Sequence, residues 1–231
     1  MTITFDNRAV AFVDVLGFKA LVNSAAGNND LASLEELVSL LSTAIPSFDA
    51  TVDKSVPKSL IPRHIYISDC IILSAPMSHP TYHYDNGLSI VVMRVIQLSH
   101  LLLRAGYLIR GGISVGNVWH SESNIVGPAY QEALALEQGG QEPIVVLSAS
   151  AVKCWEGESR MCLQQDGKVF VNGLFDYYIP NSTEYGVIDR TYKHYAELAE
   201  KRLCEGLIPS AKEKWQWFKD FVQAEVSKGL K

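Results

Sequence analysis

Residues Ala9–Leu21 read AVAFVDVLGFKAL. The run from Ala9 to Val13 is uninterrupted and apolar, the pattern of a strand buried on both faces. It ends on Asp14, and Gly17 then releases the chain into an apolar-periodic segment, Phe18–Ser24, that reads as helix. A carboxylate at the end of a buried strand is costly unless something cationic meets it. Two readings are open. Asp14 caps the helix that follows, or it is a metal ligand, with Leu16–Phe18 turning tightly enough for backbone N–H groups to face a phosphate.

Two further stretches bear on that choice. In Ile61–Ala75, IPRHIYISDCIILSA, the runs Ile65–Ile67 and Cys70–Leu73 flank Ser68-Asp69 at hairpin spacing. Asp69 is either a turn former or a second carboxylate at a strand end, able to meet Asp14 and bind hard divalent cations through oxygen. Tyr107–Val118, YLIRGGISVGNV, reads as a strand carrying Arg110 inside an apolar run. A buried guanidinium needs an anion, supplied by an internal salt bridge or by a phosphate. Gly111, Gly112 and Gly116 point to close approach of another backbone or a ligand.

The remaining elements follow from periodicity and punctuation. Gly27-Asn28-Asn29 breaks the first helix. Asp30 caps a second, Leu31–Ala44, with a stripe of Leu34, Leu37, Val38 and Leu41. Phe48–Lys58 and Met77–Asp85 read as loops, and His64, His79 and His83 lack metal-ligand spacing. Asn86–Ala105 is a long helix ended by Gly106. Asn124–Gly140 carries another, opening with Gly127-Pro128, where proline suits a first helical position, and closed by Gly139-Gly140. A strand at Pro143–Leu147, a short helix capped by Ser148, a hairpin around Asp166-Gly167 and a last strand at Phe175–Ile179 follow. Beyond Asn181, Asp189–Cys204 and Ser210–Lys228 read as polar amphipathic helices docked through Trp215, Trp217, Phe218 and Phe221. The expected architecture is α+β: a ferredoxin-like βαββαβ domain over residues 1–180 and a C-terminal helical extension over 181–231.

The 231 residues are 48% hydrophobic and 19% charged, an ordinary globular balance. A net charge of −5 leaves no basic face for nucleic acid. Cys70, Cys154, Cys162 and Cys204 are scattered without a CxxC pair, as in a reducing compartment. No N-terminal signal pattern and no apolar run of membrane-spanning length is apparent. The expectation is a cytoplasmic protein with no nucleic-acid or membrane partner.

Taken together, these stretches resemble the class III nucleotidyl cyclases. FVDVLGF resembles the family's first-strand motif and ISDCIIL its hairpin with the second metal aspartate, with Ser68 where glycine is usual. RGGISVGNV resembles the R-x-G-I-x-x-G strand, and NIVGPAYQEALALE the final active-site helix. The resemblance covers about Ala9–Val171. It implies two divalent ions, Mn²⁺ or Mg²⁺, held by Asp14, Asp69 and the Val15 carbonyl. It also implies a phosphate cradle at Leu16, Gly17, Phe18 and Lys19, with Arg110 on the leaving pyrophosphate. The active sites of such domains lie between two copies, so a homodimer with composite sites is implied.

The departures carry information too. Ile65, with Tyr66 beside it, stands where adenylyl cyclases place a lysine, and Asn124 where they read adenine. Gln131 and Ala135 replace the asparagine and arginine that steady the transition state. With these departures, R-G-G-I-S and G-P-A-Y-x-E-A resemble the bacterial pyrimidine cyclases of Pycsar anti-phage defence. That implies conversion of UTP to cyclic UMP, read by a separate effector protein, with Tyr66 filling space around the smaller base and Asn124 reading its edge. Three alternatives stand beside it: CTP to cyclic CMP, an inactive cyclase-fold nucleotide-binding or dimerisation module, and a purine cyclase with altered base contacts.

Overall fold

Asp14 sits near the end of the strand that organises the sheet. A computed structural model describes residues 2–28, 31–50 and 52–229 of the chain; the expected Asp30 cap and Asn29 lie outside them. Strand β1, Asp6–Val15, is central, with β3 (Cys70–Pro76) on one side and β4 (Ile109–His120) on the other, both antiparallel. It is longer than the apolar run alone suggests because β4 pairs its whole length, Asp6 standing opposite Val118 and Val15 opposite Ile109. Helices α1 (Phe18–Asn28) and α2 (Ala32–Asp49), strand β2 (Arg63–Ile67) and helix α3 (Gly87–Arg104) complete a ferredoxin-like unit with strand order β2-β3-β1-β4. The chain continues through β5 (Ile125–Val126), α4 (Pro128–Gly139), β6 (Val145–Leu147), α5 (Ala149–Lys153), β7 (Cys162–Gln165) and β8 (Lys168–Val171). It ends with α6 (Val187–Leu203) and α7 (Pro209–Gly229). The sheet runs β2-β3-β1-β4-β6-β8-β7, with β5 paired to β4.

Strand alternation divides the core. Ala9, Ala11, Val13, Ile71 and Leu73 face α2 and α3, and Val10, Phe12 and Ile72 face α4. In α3 the side chains of Leu88, Val91, Val92, Val95, Ile96, Leu98 and Leu102 are fully buried. This 18-residue helix is long and apolar enough, by length and composition, to cross a membrane, which corrects the expectation that no run approaches that length. In the fold it is 72% buried, and protein groups meet its buried Arg94 and His100 side chains, with the Arg94 Nε left without a hydrogen-bond partner among the described residues. Arg94 meets Asp49 at 2.7 Å, and the His100 ring bonds the Tyr195 hydroxyl at 3.0 Å and the Phe175 carbonyl at 3.1 Å. Burial pulls His100 down to about 4.

Several other expectations need correction. Helix α1 continues through Gly27. Helix α2 extends past Pro46 and Phe48, and Val38 is exposed because its buried stripe runs through Leu37, Leu41, Ala44 and Ile45. Phe175–Ile179 is not a strand but contains a 3-10 turn, Asp176–Tyr178. Phe175 and Ile179 are buried while Tyr177 is 70% exposed, a helical rather than alternating pattern. Helices α6 and α7 pack through Tyr195, Trp215, Phe218 and Val222 onto Leu103, Leu108 and Leu174. Trp217 and Phe221 meet the Phe170 ring.

The Ser68-Asp69 hairpin forms as expected, with Ile67 opposite Cys70. It holds Ser68 at φ +60°, a conformation that costs an L-residue about 1–2 kcal/mol. Ser68→Gly should therefore raise stability by about 0.5–1 kcal/mol, read as a higher urea midpoint. A lower midpoint would show that Ser68 is not strained.

Candidate active site

Sheet register brings the charged groups together. Asp14 stands opposite Cys70 of β3 and Arg110 of β4, so all three side chains project on the α4 face. The turn carrying Asp69 is joined to the end of β1 by the Val15 N–H, which donates to the Asp69 carbonyl at 3.0 Å. Ligand atoms of Asp14, Asp69 and Cys70 lie within 4.8 Å of one another. Burial, then Asp69, then Glu137, pushes the Asp14 carboxyl up to about 7, against the opposing pull of Arg110. Burial, Asp69 and Asp14 push the Cys70 thiol up to about 12, so it is a neutral neighbour rather than a thiolate. The donors present are carboxylate oxygens, two of which repel each other at close range. That chemistry fits a hard divalent cation.

These residues line a cleft of about 510 Å³. Its floor includes Leu16, Gly17, Phe18 and Lys19, where Gly17 adopts φ +92° and the chain enters α1. The Leu16 N–H is bonded to the Leu108 carbonyl at 2.9 Å, and the first N–H of α1 to find a helical acceptor is that of Leu21. The positive end of α1 is thus presented to the cleft.

Arg110 takes the salt-bridge reading in this structure. It is 2.5 Å from Glu137 and 3.5 Å from Asp14, and it donates to the Gly140 carbonyl at 3.2 Å. The contact with Asp14 is electrostatic only, since Nε has no hydrogen-bond partner among the described residues. A phosphate role for Arg110 therefore requires exchange of Glu137 for the phosphate.

The expected base and transition-state residues lie elsewhere. Ile65 is buried on the α4 face beside Phe12 and Ile72, outside the cleft. Tyr66 alternates to the opposite face and packs against the α2–α3 core, with burial and then the Asp69 charge pushing its phenol up. Asn124, Gln131 and Ala135 are exposed, on the turn before β5 and on α4, and do not line the cleft.

Two charged cleft residues were not anticipated. Glu137 continues the buried Ala129–Ala133 stripe of α4, and a lone carboxylate at that i+4 step was a readable signal. Lys214 comes from α7, and nothing local in its polar surroundings marks it.

No family model and no curated protein matches the chain. A solved structure, the catalytic core of a rhodopsin-guanylyl cyclase with converted specificity in complex with ATPαS, aligns with 72% of this chain and 95% of its own length. Sequence identity is 16% and the TM-score 0.48. The chemistry of this chain accordingly rests on its own residues.

Proposed function

We propose that the chain is a metal-dependent nucleoside triphosphate cyclase that converts UTP to 3′,5′-cyclic UMP and pyrophosphate. The observation that carries this reading is the convergence of Asp14 and Asp69 beside the positive end of α1. Opposite charges for cations and for phosphates then adjoin within one cleft. Asp14 and Asp69, with the Val15 carbonyl, would hold Mn²⁺ or Mg²⁺. Such ions favour the alkoxide form of the attacking ribose hydroxyl and offset charge on the phosphates. With the Leu16 N–H bonded to the Leu108 carbonyl, the amides of Gly17, Phe18 and Lys19 orient the triphosphate, and Arg110, freed from Glu137, meets the departing pyrophosphate. In the reaction the 3′-oxygen bonds to the α-phosphorus, the bond from that phosphorus to the β-phosphate bridging oxygen breaks, and the hydroxyl proton passes to solvent.

The candidate metal and phosphate residues line the cleft and the expected base readers do not, which supports a homodimer in which the second copy's Asn124 and Gln131 complete it. The motif resemblance supports UTP over purines, a cyclic pyrimidine messenger read by a separate effector, and a part in anti-phage defence. CTP yielding cyclic CMP is the alternative substrate. Ala135 and the Arg110–Glu137 pair favour a second reading, a nucleotide-binding module without turnover.

The deciding experiment incubates the purified chain with Mn²⁺ and each of the four ribonucleoside triphosphates, with products resolved by mass spectrometry. A cyclic pyrimidine monophosphate is expected from UTP. Cyclic CMP alone would transfer the reading to CTP, and cyclic purines would replace it. No product with nucleotide still bound would establish the non-catalytic module.

A further inference from the structure

The region beyond Asn181 lies outside the stretch that resembles cyclases, yet α7 reaches the cleft. Lys214 lines it together with Asp14, Lys19 and Arg110. The only hydrogen bond of its ammonium among the described residues runs to the Ser210 carbonyl of its own helix, at 3.2 Å. No carboxylate among the described residues pairs with it, although Asp69, Asp14 and Glu137 share the cleft, whereas Lys219 of the same helix pairs with Glu200 at 3.1 Å. The position of Lys214 is set by packing. Its neighbour Trp215 is 8% exposed and Phe218 is 4% exposed. The Arg202 guanidinium lies 5.8 Å from the Trp215 ring centroid and donates to the Gly106 carbonyl at 3.2 Å. Leu16, from the turn that leads into α1, packs into this same cluster. The turn that presents backbone amides to the cleft and the helix that carries Lys214 are therefore one packed unit.

We infer that Lys214 is a binding residue for the terminal phosphates of the substrate, making the C-terminal helices a wall of the active site rather than an appendage. The inference rests on the cleft being a nucleoside triphosphate site. A compact ammonium on a flexible stem suits a mobile phosphate end. With Arg110 engaged by Glu137, Lys19 and Lys214 are the cleft cations without a carboxylate partner among the described residues. Cyclic monophosphate has no terminal phosphates, so Lys214 favours substrate over the cyclic nucleotide, while pyrophosphate retains the groups it contacts.

The test is calorimetric titration of inorganic triphosphate with Mg²⁺ into the full chain and into its Lys214→Met and Lys214→Arg variants, with thermal melting of each. Lys214→Met is expected to bind triphosphate about tenfold more weakly, with an unchanged melting temperature and unchanged affinity for uridine monophosphate. Lys214→Arg should stay within about threefold of the parent. Parent-like binding by Lys214→Met overturns the inference and leaves the cyclase reading standing. A Lys214→Met variant that binds weakly only because it melts at much lower temperature, with Lys214→Arg failing to restore binding, assigns Lys214 to packing and also overturns it. If the parent chain takes no triphosphate, the cyclase reading falls and the inference with it.

Discussion

Asp14→Asn and Asp69→Asn are each expected to lower cyclic nucleotide formation at least about a thousandfold, some 4 kcal/mol of transition-state stabilisation. Both changes keep the side-chain shape, so the fold should persist while the charge that draws a cation into the cleft is halved. Full activity in either variant would show that the two carboxylates do not share metal. Asp14→Asn should also separate stability from function. In the metal-free protein the Asp14 carboxyl is raised to about 7 by burial, Asp69 and Glu137, well above its value in an unfolded chain. The folded state therefore binds this proton more tightly than the unfolded state. The resulting stability is complete below about pH 4 and is lost as pH rises to about 7. Thermal melts without metal should fall over that window for the parent, and Asp14→Asn should flatten the slope attributable to this group. Divalent cation competes with the same proton, so its stabilising effect should grow through the same window. A parent whose metal-free stability is flat between pH 4 and 7 would contradict the charge environment assigned to Asp14.

Gly112→Ala is expected to destabilise the protein by about 3 kcal/mol. A Cβ at that position would lie 2.4 Å from the Ala133 carbonyl oxygen and 2.6 Å from the Leu136 Cβ, distances at which something must move. Neither side yields easily. Gly112 belongs to β4, held between β1 and β6. Helix α4 is tied to β4 and α5 by Glu132, which accepts from Ser114 and from Ser150. Displacing α4 also shifts Leu134, Glu137 and Gln138, which line the cleft, so loss of activity should accompany loss of stability. Gly139→Ala is the matched control, because a Cβ there meets nothing within 4 Å. Its effect should stay within about 1 kcal/mol. Equal urea midpoints for the two variants would show that the β4–α4 contact is not tight.

Much of the fold was readable because it is written locally. The apolar run into Asp14, the two-residue spacing around Ser68-Asp69, the 3.6-residue period of Asn86–Ala105 and the Asp166-Gly167 turn each specify an element through neighbouring residues. Both turn residues of the last hairpin have positive φ, as its Asp-Gly sequence requires. The errors fell where periodicity is ambiguous. Phe175–Ile179 is apolar enough for a strand, and only its surroundings make it a turn. Gly27 weakens a helix without ending it.

In the site, Asp14, Asp69 and Arg110 could be singled out from the chain because charge at the end of, or inside, an apolar run demands a partner. Which partner each finds depends on strand register. The pairing of Asp14 with Cys70 and Arg110 rests on residues nearly a hundred positions apart. The same register sends Tyr66 to the face opposite Asp14. That Arg110 meets Glu137, and that Lys214 reaches the cleft, depends on how α4 and α7 dock. Docking is set by buried surfaces assembled from several segments at once, so no window of sequence carries it. The chain's residues specify the elements and the charges they bear, and packing between distant elements selects which charges meet.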